Sequence, residues 1–177
     1  MAEHQGRISY MNKIKKENLV QRDCKPFLSL LGAGARSLYR GMNEQHDHVT
    51  VLDVRRDRQP KNMPRTIHAA ADSWFSEKFG VRYRGAGLFC TGDRAQAAEH
   101  GYVYKIFPIG GFQFCWSPKV RDLSEWAKRE GRLQLQPAEF VAALDSLDYR
   151  EEGFSEAIAS GCEVMVACRR YYVVPDS

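Results

Sequence analysis

The chain has 177 residues, of which 44% are hydrophobic and 27% are charged, with a formal net charge of +4. This length and apolar content predict one buried core and therefore one domain. The charged fraction and the absence of a long apolar run argue against a disordered chain and against membrane insertion. The first twenty residues lack an apolar stretch as long as a secretory signal, so we expect a cytoplasmic protein that does not contact membranes.

The positive charge is concentrated in the first part of the chain. Residues 1–65 carry 13 Lys or Arg against 7 Asp or Glu, whereas residues 66–177 carry 13 against 15. The densest basic stretch is DVRRDRQPKNMPR, from Asp53 to Arg65. Such a run is commonly a solvated loop, and it also has the charge needed to contact the phosphates of a dinucleotide or a nucleic acid.

The predicted elements begin with helical periodicity over residues 18–31, which is interrupted at Pro26 and ends in the glycine-rich GAGA stretch. Residues 1–36 are therefore predicted to be an N-terminal helical extension. Residues 37–42 and 48–54 have the pattern of short strands.

An amphipathic helix is predicted next, over residues 66–79, with Gly80 as its cap. Its apolar residues recur at steps of three and four: Ile67, Ala70, Ala71, Trp74, Phe75 and Phe79. A strand over residues 86–91 follows, and then a helix over residues 93–100, in which Asp93 favours the N-terminus.

The remaining elements predict a mixed fold. Aromatic and β-branched residues indicate strands over residues 102–108 and 112–116, and helices are predicted over residues 120–129 and 137–147. The stretch CEVMVACRRYYVV predicts two strands joined tightly at residues 167–169. Because no repeat or linker separates these elements, they belong to one α+β unit.

Several kinds of site find no support in the motifs. The sequence has no GxSxG, GxGxxG or Walker loop, and its HDH triplet at residues 46–48 lacks a second ligand cluster, so no metal site is predicted. The five cysteines are odd in number and do not have zinc-site spacing, so we expect free thiols in a reducing compartment. A nucleophilic pair of Cys90 with His68 or His100 has no local signature.

Three segments carry the most information, and their order matters more than any one of them. LYRGM places Arg40 on a strand, LFCTGDRAQAAEHG places Thr91 at a strand end, and SGCEVMVACRRYYVV places Glu163 at the start of a strand. Together they resemble the ADP-ribosyltransferase family, in the branch with an Arg, a Ser-Thr-Ser strand end and a Glu. VYKIFPIGG is similar to the family segment between the second and third motifs, so the resemblance covers residues 37–174.

The resemblance implies two packed, mainly antiparallel sheets that form an NAD cleft flanked by helices. It implies that Arg40 binds the pyrophosphate through paired charge-assisted bonds, and that main-chain groups around Arg40 and Gly41 hold the nicotinamide amide. By the same resemblance, Glu163 stabilises the positive charge that develops on the ribose when the nicotinamide bond breaks. NAD is then a substrate, and no metal is implied.

The second motif explains why a small polar residue ends the strand. The resemblance implies that Thr91 orients the catalytic carboxylate, and that Cys90 and Thr91 line the nicotinamide pocket. Cys90 stands where the family has its first serine, and Gly92 replaces the last one. Because a thiol is a weak donor, we expect the hydrogen bond from Cys90 to Glu163 to be impaired.

The acceptor is not identified by the third motif. Branch members that modify arginine or a nucleobase have Glu or Gln two residues before the catalytic Glu, where this chain has Gly161. The family places target recognition in the preceding loop, which corresponds to residues 151–160.

The sequence therefore predicts an NAD-dependent mono-ADP-ribosyltransferase that acts inside cells as a toxin or phage–host conflict effector, with an antitoxin as a further partner. The basic N-terminal half favours RNA or DNA slightly over protein as the acceptor. Two alternatives stay open. One is an NAD-hydrolysing toxin of the related Arg-Glu-Ser group, which would use Arg40 and Glu99. The other is an NAD-binding module without turnover.

Overall fold

The computed structural model describes residues 17–32, 34 and 36–176. Within that part of the chain, seven strands form one antiparallel sheet in the order β2-β7-β4-β1-β3-β6-β5. The strands are β1 (Tyr39–Met42), β2 (Thr50–Asp53), β3 (Leu88–Thr91), β4 (Tyr102–Ile109), β5 (Gln113–Trp116), β6 (Glu163–Ala167) and β7 (Arg170–Pro175). The predicted α+β class is confirmed.

The resemblance implied two separate sheets, and this prediction is wrong, because hydrogen bonding is continuous across one seven-stranded sheet. The halves β2-β7-β4-β1 and β3-β6-β5 meet at a single residue pair, Tyr39 with Thr91. By contrast, β1 pairs with β4 at four positions, and β3 pairs with β6 at four. The junction between β1 and β3 is therefore the weakest seam of the sheet.

The connection from β6 to β7 indicates that this sheet is folded. The two strands are joined by Cys168 and Arg169 alone, so the chain can span at most ~11 Å between the strand ends. In a flat sheet, four strand spacings would separate them, or ~19 Å. The two halves of the sheet must consequently turn towards each other about the β1–β3 junction.

Eight α-helices and one short 3-10 turn accompany the strands within the described residues. The first helix, α1, covers residues 17–23. The others are α2 (Lys25–Leu31), α3 (Arg65–Phe79), α4 (Tyr83–Ala86), α5 (Arg94–Ala98), α6 (Leu123–Arg129), α7 (Pro137–Asp145) and α8 (Phe154–Ser160). No helix in the described part of the chain has both the length and the apolar composition needed to cross a membrane.

Helix α3 confirms the predicted amphipathic helix. Gly80 has φ +73° and its N–H donates to the Ser76 carbonyl, so the glycine caps the helix in the left-handed conformation. Asp93 caps α5 by accepting hydrogen bonds from the N–H groups of Ala95 and Gln96, as its position predicts.

Two apolar cores pack on the sheet. The first lies among the strands and includes Val20, Cys24 and Phe27 from α1 and α2. Residues 17–31 therefore contribute side chains to the core, whereas the rest of the predicted extension, residues 1–16, lies outside the described residues. The second core lies under α3, α6 and α7 and contains Phe75 and Phe140, both fully buried.

Candidate active site

The candidate site lies at the β1–β3 junction. Thr91 pairs with Tyr39 of β1 on one side and with Glu163 of β6 on the other, so these three residues form one row across the sheet. Directly paired residues project to the same face. The register therefore brings Thr91 and Glu163 together, as the motif order predicts.

Glu163 is buried, with 6% of its surface exposed, and its carboxylate is paired with an arginine that the sequence did not single out. The Arg84 Nη1 donates to Glu163 Oε1 at 2.8 Å, and Arg84 is itself only 3% exposed. Burial raises the pKa of the Glu163 carboxyl, while the positive charge of Arg84 acts in the opposite direction. Glu163 and Arg84 therefore form a buried ion pair, and the carboxylate is available for electrostatic stabilisation of a positive charge only if Arg84 moves.

Arg40 lies at the point where the two halves of the sheet separate. Beyond the Tyr39–Thr91 pair, β1 and β3 no longer pair with each other, and the Arg40 Nη1 donates to the free Phe89 carbonyl at 2.9 Å. The Arg40 Nε is buried and has no hydrogen-bond partner among the described residues. The seam thus holds a guanidinium with a donor to spare.

Two further guanidinium groups stack on the ring of Phe89. The guanidinium carbon of Arg58 lies 3.8 Å from the ring centre, and that of Arg84 lies 4.1 Å from it. We define the arginine cluster as Arg40, Arg58 and Arg84, which contact Phe89, together with Glu163, which pairs with Arg84. Burial, together with the nearby charges of Arg40 and Arg84, lowers the pKa of Arg58 to about 10. The cluster therefore carries more positive than negative charge.

Asp72 on α3 fixes the position of Arg84 through the main chain of α4. Its Oδ1 accepts from the N–H groups of Arg84 at 3.1 Å and Gly85 at 2.7 Å, and its Oδ2 accepts from Arg82 Nε at 2.8 Å. The Nε of Arg84 has no partner in the described part of the chain. Arg84 is thus held at its backbone and incompletely satisfied at its guanidinium.

Thr91 uses its hydroxyl for the strand end rather than for the carboxylate. The hydroxyl donates to the Gly161 carbonyl at 2.9 Å and accepts from the Asp93 N–H at 3.0 Å. It ties the end of β3 to the end of α8 and to the start of α5. Arg84 occupies the position of carboxylate partner that was predicted for the second-motif residues.

Cys90 projects from β3 on the opposite face, into the first core. It is buried, and burial raises its pKa to about 12, so the thiol is neutral at physiological pH and does not act as a nucleophile. His100 is exposed and His68 lies on α3. A Cys90–His nucleophilic pair is therefore not formed.

The two glycines of the second and third motifs have structural explanations. A Cβ at Gly92 would lie 1.8 Å from the Ile158 carbonyl of α8, so no serine fits there without a backbone shift. Gly161 has φ +70° and ends α8 in the left-handed conformation, which a Glu or Gln adopts only with strain. The departures from the family pattern at these positions follow from the packing of α8.

Gly41 is required by a neighbouring helix. A Cβ there would lie 2.0 Å from the Ala97 carbonyl, so α5 packs directly on β1. Its predicted contact with nicotinamide stays a prediction. Glu99, the residue of the hydrolase alternative, is exposed, and its side chain makes no hydrogen bond or ion pair with any described residue.

Sequence reasoning missed Arg58, Arg84 and Asp72 as members of the site. Arg58 was visible only as part of a basic run, and Arg84 as an arginine between two short apolar stretches in RYRGAGLF. The signal for Arg84 was its position among small and apolar residues shortly before the buried strand β3, where a charge needs a partner.

The described residues contain no group of three or more His, Cys, Asp or Glu side chains that could hold a metal ion. Comparisons with known protein families, with curated proteins and with solved structures found no match.

Proposed function

We propose that this chain is an NAD-dependent mono-ADP-ribosyltransferase whose active site is the arginine cluster. The observation that carries the proposal is that Arg40 binds the main chain of Phe89 at the seam between β1 and β3, while Arg58 and the Arg84–Glu163 ion pair lie at the ring of the same residue. NAD has two features that such a site recognises, an anionic pyrophosphate and a ribose that becomes cationic during cleavage. The folded sheet, with halves that turn towards each other, supports the family fold.

Arg40 is the pyrophosphate ligand in this proposal. Its guanidinium is directed by a strand, its Nη1 is bound to the Phe89 carbonyl, and its unpartnered Nε is parallel to Nη2, so these two groups are the donors for the pyrophosphate. A planar fork of this kind matches two phosphate oxygens, which a lysine ammonium does not. Arg58 and Arg84 add positive charge on the neighbouring ring.

Glu163 is the catalytic carboxylate. The bond between the nicotinamide nitrogen and ribose C1′ breaks with its electron pair going to nicotinamide, which leaves neutral. The ionised carboxylate stabilises the positive charge on the sugar. An oxygen or nitrogen of the acceptor then bonds to C1′, and its proton passes to water. Because Glu163 is buried under Arg84, bound NAD must draw Arg84 from the carboxylate towards the pyrophosphate.

The acceptor in this proposal is a macromolecule, with RNA or DNA favoured slightly over protein by the basic residues before α3. The resemblance to toxin-like members of the family supports a role as an intracellular toxin or phage–host conflict effector, with an antitoxin as partner. We therefore propose an intracellular location and an antitoxin partner as well.

The test is transfer of label from NAD to a cell lysate. We expect NAD labelled in its adenylate phosphate to mark a fraction that nuclease or protease removes, and we expect Glu163→Gln to lower the transfer about 100- to 1,000-fold. Glu99→Gln is the matched control, because Glu99 is exposed and outside the cluster. Nicotinamide release without labelled acceptor, abolished by Glu99→Gln and not by Glu163→Gln, would instead identify the hydrolase.

A second candidate is an NAD-binding module without turnover, and the burial of Glu163 under Arg84 favours it. A module that never uses the carboxylate has no need to release it. Calorimetry that detects NAD binding, together with no nicotinamide release over hours, would support this candidate and contradict the transferase.

A further inference from the structure

A separate cavity lies beside the arginine cluster, between the segment that follows β2 and the first turns of α3. Its volume is about 340 Å³. We call it the α3 cavity. The charged and titratable side chains that line it are Arg56, Arg58, Arg65, Arg82, His68 and Asp72, with Asp57 at the same wall.

The α3 cavity has positive charge that the protein does not neutralise. Asp72 is already committed to Arg82 and to two main-chain N–H groups of α4. Arg56, Arg58 and Arg65 form no ion pair with any residue that the structure describes. Four guanidinium groups line this concavity with two carboxylates, Asp57 and Asp72, so its net charge is positive and favours a bound anion.

The start of α3 adds to this field. The 15-residue helix begins after Pro64, which offers no side chain to cap its first N–H groups, and the first turn contains no acidic residue. The free N–H groups and the helix dipole favour an anion at this end. His68, one turn into the helix, has its pKa lowered by burial and by the charge of Arg84, so it is neutral at physiological pH and can accept or donate one hydrogen bond.

The cavity is connected to the arginine cluster by Arg58. This residue lines the α3 cavity and also stacks on Phe89, beside Arg84 and Glu163. Its N–H donates to the Gly85 carbonyl at 2.9 Å, so its main chain is fixed to α4. An anion in the cavity would therefore contact Arg58, whose guanidinium also lies beside the proposed site of cleavage.

We propose that the α3 cavity binds a backbone phosphate of a nucleic-acid acceptor and so places a neighbouring nucleotide near Glu163. That this nucleic acid is the acceptor of ADP-ribose rests on the proposed function. The donor's pyrophosphate is assigned to Arg40 at the seam, which leaves the cavity for a second phosphate compound. Arg56 and Arg65 are exposed, so a polymer can reach them from solvent, and a cavity of this size takes one phosphate and its sugar.

Arg55 offers a matched control for this proposal. It precedes Arg56 directly and is exposed in the same segment, but it does not line the cavity. The variants are Arg56→Gln, Arg65→Gln and Arg55→Gln, with Arg65→Lys to restore the charge. All three positions of change are exposed, and circular dichroism and thermal unfolding are used to check that each of the four variants is folded.

The measurement is binding of a fluorescent twelve-nucleotide single-stranded RNA without NAD, by anisotropy at several salt concentrations. We expect Arg56→Gln and Arg65→Gln each to weaken binding at low salt, about tenfold, and to reduce the slope of log affinity against log salt by about 0.7. Arg55→Gln should leave both quantities within about twofold of the wild type, and Arg65→Lys should recover most of the affinity.

Two results would overturn the proposal. One is an equal, small effect of Arg55→Gln, Arg56→Gln and Arg65→Gln on RNA binding. The other is unchanged RNA binding together with weaker NAD binding by calorimetry in Arg65→Gln, which would assign the cavity to the donor. Because RNA binding is measured without NAD, cavity-dependent binding in a protein that never cleaves NAD would uphold this inference and contradict the proposed function.

Discussion

Two clusters that each contain a buried residue of α4, Tyr83 in one and Arg84 in the other, are built in opposite ways. The aromatic cluster of Trp74, Phe75, Phe79, Tyr83 and Tyr149 is held by ring contacts, with Phe75 fully buried 4.9 Å from Trp74 and 4.8 Å from Tyr149 between ring centres. The arginine cluster is held by one ion pair and two stacked guanidinium groups, and two of its buried Nε atoms have no partner in the described residues.

The difference separates stability from function. Edge-to-face aromatic packing stabilises the fold, and the one buried polar atom of this cluster without a partner in the described residues is the neutral Tyr149 hydroxyl. A buried excess of positive charge costs stability and is retained where a ligand supplies the missing anion. Substitutions in the aromatic cluster should therefore act on the free energy of unfolding, and substitutions in the arginine cluster on chemistry and binding.

The largest expected effect is that of Phe75→Ala. Removing a fully buried ring that contacts four other aromatic rings should lower the free energy of unfolding by about 3–5 kcal/mol, measured by urea denaturation. Phe75→Leu, which keeps most of the volume, should cost less and leave the NAD dissociation constant within about twofold of the wild type. A large loss of NAD affinity in the folded Phe75→Leu protein would break the separation of the two clusters.

A smaller loss is expected from Gly92→Ser, which restores the family serine at the end of β3. The new Cβ meets the Ile158 carbonyl at 1.8 Å, so α8 has to shift, at a cost of about 2–3 kcal/mol. Gly111→Ser is the control, because a Cβ at Gly111 meets nothing within 4 Å. Equal urea midpoints for both variants would contradict the close approach of α8 to this strand end.

The pH dependence of NAD cleavage tests the pairing of Arg84 with Glu163. Only the ionised carboxylate stabilises the cationic sugar, so kcat/KM for nicotinamide release, which reports the free enzyme, should fall as pH decreases through the raised pKa of Glu163. Arg84→Gln removes the charge that opposes this rise, so the acidic limb should move to higher pH by about one unit. Arg84→Lys should keep the limb near its wild-type position.

The sign for stability follows from the same shift. Since the folded state holds the Glu163 proton more tightly than the unfolded state, the free energy of unfolding decreases as pH rises from the ordinary carboxyl pKa through the raised one.

For the rate of nicotinamide release, identical acidic limbs in the wild type, Arg84→Gln and Arg84→Lys would show that Arg84 does not act on the reacting carboxylate.

Local pattern predicted most of the elements, because their signals lie within a few residues. The steps of three and four along α3, the glycine at its end and the position of Asp93 before α5 are all confirmed. The resemblance implied that Thr91 orients the Glu163 carboxylate; the register of β3 with β6 pairs the two residues, but the Thr91 hydroxyl bonds to Gly161 and Asp93 instead.

What sequence could not give depends on contacts that are distant along the chain. The strands β6 and β7 are adjacent in sequence but lie in different halves of the sheet, and this follows only from their pairing with β3, β5, β2 and β4. Arg84 is 79 residues from Glu163 along the chain, so no local sequence pattern predicts their ion pair. The single sheet and the charged centre both emerge from tertiary pairing.

The central claim is that Arg40 and Glu163 contact the same molecule of NAD. The most direct measurement is a crystal structure of the Glu163→Gln protein with NAD bound, because this variant keeps the shape of the site and prevents cleavage. The account predicts NAD in the seam between β1 and β3, with its pyrophosphate on the Arg40 guanidinium and the nicotinamide ribose beside residue 163. NAD bound away from the seam, or a pyrophosphate that does not touch Arg40, would contradict it.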